Sequence, residues 1–234
     1  MLRLRRVPID TGSENIAFIH RRCPEFQIDE LNAMAHRVEI HGGLQPLFAT
    51  AYACDDENIV APDEIGLSLQ AYHLINLPEG AELAVSPAPP PASIESIRRK
   101  INGGILSAKE YRAIIADMAA YRYSPTELAA FLVSNASFMS PQEVLSMTEA
   151  LVEHRKPVDW GINLVVDEHC IGGLPANRTS MIVVPIAIAY GLCMPDTMTR
   201  SVTSCSGAAD AMEVLANVEL SEEQTAQTVG DIGG

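Results

Sequence analysis

The fold of the second half of the chain is decided by the stretch Val166-Asp167-Glu168-His169-Cys170-Ile171-Gly172-Gly173-Leu174-Pro175-Ala176-Asn177-Arg178-Thr179-Ser180. A short apolar run, Ile162 to Val166, precedes it and predicts a strand, and the apolar run Met181 to Leu192 that follows predicts a helix. Glycine lets the backbone approach a ligand closely, and the free N–H groups at a helix start attract an anion. The stretch therefore predicts an anion-binding turn between a strand and a helix.

Two further segments carry glycine and hydroxyl motifs. One reads Pro195-Asp196-Thr197-Met198-Thr199-Arg200-Ser201-Val202-Thr203-Ser204-Cys205-Ser206-Gly207-Ala208-Ala209-Asp210 and leads into Met212-Glu213-Val214-Leu215, and the other reads Lys100-Ile101-Asn102-Gly103-Gly104-Ile105-Leu106-Ser107. Together with the first stretch, they resemble the thymidine phosphorylase and AMP phosphorylase family, whose signature reads Asp-Lys-His-Ser/Cys-Ile/Thr-Gly-Gly. The resemblance favours the longer subgroup, which has an extra N-terminal domain. Since family members are much longer than this chain, it resembles the N-terminal half of such an enzyme.

The resemblance implies a pentosyltransferase that splits a pyrimidine nucleoside into free base and sugar 1-phosphate. Phosphate would be the co-substrate, with no cofactor and no metal. His169 matches a catalytic histidine near the base and sugar, and a structural histidine bonded to a neighbouring carbonyl fits the motif equally well. Arg178 and Arg200 could each contact an anion, or could pair with Asp167 and Asp210. By resemblance, the residues that bind phosphate or nucleotide are Gly173, Ser180, Thr199, Arg200, Ser201, Val202, Thr203 and Ser204.

Three positions depart from the family pattern. Glu168 stands where the family has a lysine, so an anion replaces a cation at a phosphate-facing position. Two like charges about 4 Å apart repel by about 4 kcal/mol at an effective dielectric of about 20, enough to weaken phosphate binding by orders of magnitude. Ala208 replaces a threonine, and Cys170 replaces serine, a usual variant in the longer subgroup. These departures predict a weakened or altered phosphate site.

Composition limits the classes of partner. The 234 residues carry a formal net charge of −14, which disfavours nucleic acids and anionic membranes as partners because both need a cationic face. A hydrophobic fraction of 47% is enough to build a core. No apolar run reaches the length of a membrane span, so a cytoplasmic location is expected. The five cysteines include no Cys-x-x-Cys pair, which argues against a disulfide framework or a zinc knuckle.

The chain predicts a multidomain protein of mixed α+β and α/β class. Residues 1–86 predict a β-rich, barrel-like domain, residues 87–155 a proline-rich linker and an all-helical domain, and residues 156–234 the first, truncated part of an α/β phosphate-binding domain. The proline-rich run Pro87-Ala88-Pro89-Pro90-Pro91 favours a stiff extended spacer that keeps two bodies apart. The predicted strands are Leu2 to Pro8, Ile16 to His20, Arg37 to His41, Pro46 to Cys54 and Ala81 to Ser86, and the predicted helices of the middle domain are Ser93 to Ile101, Ser107 to Ala120, Ser124 to Ser134 and Ser140 to Arg155.

Several functional alternatives remain open at this stage. Thymidine phosphorolysis ranks first, AMP phosphorylase-like cleavage of a nucleoside monophosphate second, and a non-catalytic assembly or binding protein with a degenerate phosphate site third. A phosphoribosyltransferase of the anthranilate type resembles the same helical domain, but the Arg200 segment fits it poorly. The family pairs through its helical domain, so a homodimer or larger homo-oligomer is expected. The residues that complete the family's site would lie beyond residue 234, so this chain alone is expected to be inactive.

Overall fold

The computed structural model describes residues 1–12, 14–28, 36–155, 157–168, 178–198, 200 and 206–234. The chain divides into two compact units, Met1–Arg155 and Lys156–Gly234. The first unit contains a barrel and a group of helices, so it is mixed α and β as predicted. The finer division into three domains stays a prediction.

The N-terminal part of the first unit is a closed six-stranded barrel, which confirms the predicted barrel-like fold of this part of the chain. Its strands follow the order β1-β5-β2-β4-β3-β6 around the barrel. The β1–β5 and β2–β4 pairs are parallel and the other pairs are antiparallel. The strands are β1 (Leu2–Arg6), β2 (Ile16–His20), β3 (Arg37–His41), β4 (Leu47–Cys54), β5 (Glu64–Leu67) and β6 (Glu82–Pro87), with α1 (Leu69–Ile75) between β5 and β6.

Inward-pointing aliphatic side chains fill the barrel. They alternate along the strands, as a sheet with one buried face requires. Burial of such side chains is the main force that holds the barrel together. The core members that are at most 2% exposed include Leu2, Leu4, Ala17, Ile19, Val38, Ile40, Ile65, Leu67 and Leu83.

Strand β5 is not among the strands predicted from the sequence. The strand has only four residues and contains Gly66, so it lacks the alternating apolar run that predicts a strand. Gly66 is required by close packing, since a Cβ there would lie 2.5 Å from Val60 Cγ2 and 2.7 Å from Val7 Cγ2. The barrel therefore includes a strand whose central glycine, judged from the local sequence alone, would argue against a strand.

In the described part of the first unit, four helices follow the barrel: α2 (Ile94–Ile101), α3 (Ala108–Ala119), α4 (Pro125–Phe138) and α5 (Pro141–His154). The last three begin with the same capping box, in which a serine and a glutamate three residues later bond each other's backbone N–H. Pro125 and Pro141 occupy first helical positions, where a missing N–H costs little. The repeated Ser-x-x-Glu spacing explains why these helices could be predicted to within a few residues.

Helical spacing in α4 and α5 predicts a set of core residues, and this prediction is only partly right. The predicted core residues are Leu128, Phe131, Leu132, Val144, Leu145, Met147 and Leu151. Phe131 is fully buried, and Leu128 and Met147 pack against the same core. The other predicted core residues, however, are about half exposed: Leu132 53%, Val144 49%, Leu145 51% and Leu151 48%. Helical spacing shows that these residues share a face, but it does not show that the same chain covers that face.

A buried ion pair links α2 to α5. Lys100 is 0% exposed and Glu143 is 1% exposed. Lys100 Nζ donates to Glu143 Oε1 at 2.7 Å and to the carbonyl of Phe138 at 2.8 Å. The same carboxylate oxygen accepts the backbone N–H of Leu106 at 2.9 Å and the hydroxyl of Tyr111 at 3.3 Å. Lys100 and Leu106 both belong to the motif Lys100 to Ser107, so this motif positions a charged pair inside the core.

Two glutamates of the helical domain have strongly lowered pKa values. Burial alone would raise the pKa of Glu143, but hydrogen bonds from Lys100, Ser140 and Leu106 outweigh burial and lower it to about 2. Glu110 behaves likewise: burial raises its pKa, whereas its capping-box bonds and Arg99 lower it to about 2. Both carboxylates are therefore more stable as anions in the folded chain than in the unfolded chain.

These pKa values predict acid sensitivity of the helical domain. An unfolded glutamate has a pKa of about 4.3, so each carboxylate stabilises the fold fully above that pH and loses its contribution as the pH falls toward about 2. We expect the free energy of unfolding to fall by on the order of 2–3 kcal/mol per group across that window. Urea unfolding of the natural chain and of Glu110→Gln at several pH values measures this. In the variant, the free energy of unfolding should depend less steeply on pH. A free energy of unfolding that does not change with pH in the natural chain would contradict the prediction.

Two arginines tie the barrel to the helices. Arg37 on β3 donates to Thr50 Oγ1 at 3.1 Å and, through Nη2, to the carbonyl of Tyr121 after α3. Tyr121 has a left-handed backbone conformation with φ of 57°. The guanidinium carbon of Arg122 lies 5.2 Å from the ring centroid of Phe48 on β4, a cation–π contact. The barrel and the helices are therefore in direct contact, in place of the separation that the proline-rich linker predicted.

We expect Arg37→Met to weaken this contact. The change leaves the Tyr121 carbonyl without its charged donor, which should lower the free energy of unfolding by about 1–3 kcal/mol. Burial lowers the pKa of Arg37, in keeping with its desolvated position. Arg3→Met is the matched control, because Arg3 pairs with Asp63 in solvent and should change stability by about 0.5 kcal/mol or less. If denaturant unfolding shows equal losses of unfolding free energy for the two variants, the Arg37 contact stabilises the fold no more than an exposed ion pair does.

The second unit contains three helices in its described parts: α6 (Ser180–Ala189), α7 (Ala208–Met212) and α8 (Glu222–Ile232). The predicted helix after the anion-binding turn is α6. It ends before Gly191, whose φ is +85°. α8 was not predicted. In the described residues no helix is long and apolar enough to cross a membrane.

The predicted α/β sheet of the second unit is represented by one contact. Val165 and Cys193 form an isolated parallel bridge, and the N–H of Val166 donates to the Cys193 carbonyl at 2.9 Å. Within the described range from Ile162 to Val166, only Val165 is paired in this way, so the predicted strand is wrong in its extent. The bridge has the parallel sense of an α/β sheet, but the assignment of this unit to an α/β domain stays a prediction.

Candidate functional site

The structure describes five of the residues that the motifs singled out: Glu168, Arg178, Ser180, Arg200 and Ala208. The catalytic candidate His169 lies outside the described residues. The same holds for the variant Cys170 and for the binding candidates Gly173, Thr199, Ser201, Val202, Thr203 and Ser204. Their predicted roles stay predictions.

Ser180 and Glu168 are in direct contact. Ser180 is the first residue of α6 and is 6% exposed, and its hydroxyl donates to Glu168 Oε1. Thr179 precedes it, and its carbonyl accepts the N–H groups of Ile182 at 2.9 Å and Val183 at 2.8 Å. The predicted phosphate-binding hydroxyl therefore lies at a helix start, where an anion is favoured, and it is engaged by a carboxylate of the same chain. This carboxylate is the one that replaces the family's lysine.

Ala208 opens α7 and brings no hydroxyl to the site. The N–H of Gly207, just before it, donates to Asp210 Oδ2 at 2.7 Å. This bond satisfies one of the free N–H groups at the start of α7. The second predicted anion-binding segment therefore ends at a helix whose first turn is capped by its own aspartate.

Arg200 is surrounded by three carboxylates. Its Nη1 donates to Glu213 Oε2 at 2.7 Å and to Asp210 Oδ1 at 3.4 Å. Its Nη2 donates to Glu213 Oε1 and to Glu219 Oε1, both at 2.8 Å. Hydrogen bonding to Glu213 is the main cause of a raised pKa for Arg200, and Arg200 in turn lowers the pKa of Glu213. Of the two alternatives left open by the sequence, the structure shows the ion pair with Asp210.

Sequence reasoning missed Glu213 and Glu219 as partners of Arg200. The spacing of Asp210 and Glu213 was the available signal, because residues three apart on a helix lie on the same side.

For Arg178, the other candidate cation, no ion pair with Asp167 is present, and both of these residues are described. No group of three or more His, Cys, Asp or Glu side chains is placed to hold a metal ion within the described ranges.

Comparison with known proteins gives matches to the whole chain and to its helical part. Residues 94–155, the span of α2 to α5, match the model described as the glycosyl transferase family, helical bundle domain. Proteins named "Putative thymidine phosphorylase" from Rhodopseudomonas palustris and Bradyrhizobium sp. are each 45% identical over 233 residues, covering 100% of this chain and 45% and 46% of theirs. A protein of the same name from Albidiferax ferrireducens is 44% identical over 227 residues, 97% of this chain and 43% of its own length.

The chain spans just under half the length of the curated relatives it matches. Identity of this level over the whole chain makes the similarity continuous through the barrel, the helices and the second unit. The resemblance that the motifs predicted is thus confirmed: the chain is similar over its whole length to about half of these proteins, and its residues 94–155 match the helical bundle domain of the glycosyl transferase family.

Proposed function

We propose that the full-length protein is a pentosyltransferase that catalyses phosphorolysis of a pyrimidine nucleoside, with thymidine as the leading substrate. The observation that carries the proposal is the 45% identity over the whole chain to proteins named for thymidine phosphorolysis. The glycosyl transferase helical bundle at residues 94–155 supports it independently. A cytoplasmic location belongs to the same proposal.

The proposed reaction exchanges one bond at the anomeric carbon of the sugar. The bond from that carbon to the base nitrogen breaks and its electron pair leaves with the base, while a phosphate oxygen forms a new bond to the same carbon. His169 is the proposed group that protonates or orients the departing base. Catalysis then rests on positioning and electrostatics, for which a hydroxyl such as that of Ser180 at the start of α6 is suited.

We also propose a homodimer formed through the helical domain. Helices α4 and α5 expose a group of apolar side chains that one copy of the chain leaves uncovered. Apolar surfaces of this kind on a folded protein mark interaction sites. The most exposed are Val133 at 66%, Phe138 at 59% and Leu132 at 53% on α4, with Leu145 at 51% and Val152 at 50% on α5.

A non-catalytic binding or assembly protein is the second candidate function. The contact between Ser180 and Glu168 favours it, because a carboxylate occupies the hydroxyl that phosphate would use. AMP phosphorylase-like activity is the third candidate, since the longer subgroup that the barrel resembles includes such enzymes. The substrate profile separates these possibilities.

The test is a phosphorolysis assay on the full-length protein with thymidine, uridine and AMP as separate substrates. We expect phosphate-dependent release of thymine together with an equal amount of deoxyribose 1-phosphate. Release of adenine from AMP in preference to thymine would assign the protein to the AMP phosphorylase type. If the folded protein releases no base from any of the three, the enzymatic proposal fails and the non-catalytic candidate stands.

A further inference from the structure

We propose that Arg122 is a latch that fixes the barrel in one orientation on helices α2 to α5. The proline-rich segment 87–93 joins these two parts of the first unit, and its composition alone predicts a spacer that keeps them apart. In the structure, Arg122 lies where the barrel, this segment and α3 meet. The latch is a conformational feature of the first unit, and it is independent of the proposed reaction.

Arg122 contacts all three parts at once. Its guanidinium carbon lies 5.2 Å from the centroid of the Phe48 ring on β4. Its Nη2 donates to the carbonyl of Pro90 at 3.5 Å, and its Nη1 donates to Asp117 Oδ1 on α3 at 3.2 Å. One planar guanidinium can make these contacts together, because it stacks on a ring while its N–H groups donate in its own plane.

The ion pair of the latch is largely shielded from water. The side chain of Arg122 is 22% exposed and that of Asp117 is 10% exposed, so salt and solvent screen their attraction much less than that of an exposed pair. Phe48 is shielded as well. Its neighbours Leu47 and Ala49 belong to the barrel core, whereas Phe48 does not, yet only 8% of Phe48 is exposed. The contact with Arg122 therefore covers apolar surface of the barrel.

The far end of the segment is bonded to the same aspartate. Ser93, which is 4% exposed, donates its backbone N–H to Asp117 Oδ2 at 3.1 Å and its hydroxyl to the same oxygen at 2.6 Å. The buried hydroxyl of Tyr123 bonds the hydroxyl of Ser93. Asp117 thus accepts Ser93 on one oxygen and Arg122 on the other, and bonds to a charged group are stronger than neutral ones. The latch and the end of the segment therefore share one buried network.

The near end of the segment is bonded to the barrel. The N–H of Ala88 donates to the carbonyl of Arg37 on β3 at 2.9 Å. The side chain of Arg37 donates in turn to the carbonyl of Tyr121, the residue before Arg122. Both ends of the segment and the carbonyl of Pro90 are therefore held by the two parts that the segment joins. The orientation of the barrel then depends on these bonds as well as on the stiffness of the prolines.

Amide hydrogen exchange of the full-length protein, resolved to single residues by mass spectrometry, tests the proposal. Arg122→Gln removes the guanidinium. We expect it to accelerate exchange of the Ala88 and Ser93 amides about 10-fold, although both amides donate to other residues. Amides inside β2, β4 and α5 should keep their rates. Arg112→Gln is the matched control, because Arg112 also leaves α3 with one charge less but pairs with Glu153 in solvent, and it should leave Ala88 and Ser93 unchanged.

The other outcomes overturn the proposal. Unchanged exchange in Arg122→Gln would show that the segment is held without the latch. Acceleration of Ser93 alone would limit the effect of Arg122 to the start of α2, and equal acceleration throughout the first unit would mean general destabilisation. If Arg122→Gln does not fold, Phe48→Leu takes its place, because it removes only the ring beneath the guanidinium. Unchanged exchange of Ala88 in that variant then rejects the proposal.

Discussion

Lys100→Met is expected to be the most destabilising single substitution considered. It removes the cation from a pair in which Lys100 is 0% and Glu143 is 1% exposed, and it leaves a buried carboxylate without its charged partner. Breaking a buried pair in this way costs about 3–5 kcal/mol, which is a large share of the stability of a domain of this size. Denaturant unfolding followed by circular dichroism measures the loss.

Two further variants show whether the buried charge is the cause. Lys100→Met combined with Glu143→Gln removes both charges and keeps a carbonyl oxygen for the N–H of Leu106, so it should recover part of the loss. Arg98→Met is the matched control, since Arg98 pairs with Glu95 in solvent and should change stability by about 0.5 kcal/mol or less. If Lys100→Met costs no more than Arg98→Met, the buried pair does not stabilise the helical domain.

Glu168→Lys is expected to have the largest effect on ligand binding. The change restores the cation of the family signature and frees the hydroxyl of Ser180 from its carboxylate partner. Replacing a repulsive charge by an attractive one is worth several kcal/mol at close range, and since Glu168 is partly exposed we expect about a 100-fold gain in phosphate affinity. Calorimetric titration of the full-length variant with phosphate measures it.

The neighbouring acid supplies the control for this experiment. Asp167→Lys makes the same change of charge one residue earlier, at an exposed position that the resemblance does not connect to phosphate. It should raise affinity far less than Glu168→Lys. Equal gains in phosphate affinity from the two variants would mean that affinity depends only on net charge and that the side chain at position 168 does not contact phosphate.

Much of the first unit could be predicted from local sequence, because its elements carry local signals. The alternating residues of β3 and the Ser-x-x-Glu boxes of α4 and α5 each determine structure within a few residues of themselves. β5 lacked such a signal, since Gly66 is explained only by its packing against Val60 and against Val7, which comes from a distant part of the chain. The contact of Arg37 with the Tyr121 carbonyl is likewise long-range, which is why the proline-rich segment was interpreted as a spacer.

The candidate site shows a similar limit. The glycine and hydroxyl motifs identified the segment, and the resemblance supplied roles for its residues. Neither could show that Ser180 bonds Glu168, or that Glu213 and Glu219 join Asp210 around Arg200. These contacts depend on how α6, α7 and the segments before and after them fold, and motif spacing carries no information on that. For this reason, the structure adds most at the positions where the chain departs from its family.

The central claim is that the segment from Glu168 to Ser180 binds phosphate, and calorimetric titration of the natural full-length protein with phosphate tests it most directly. We predict saturable binding of one phosphate per chain, weakened about 10-fold in Ser180→Ala by loss of one hydrogen bond to a charged ligand. The absence of heat from phosphate binding in both the natural protein and Glu168→Lys, with the fold intact, would contradict the claim.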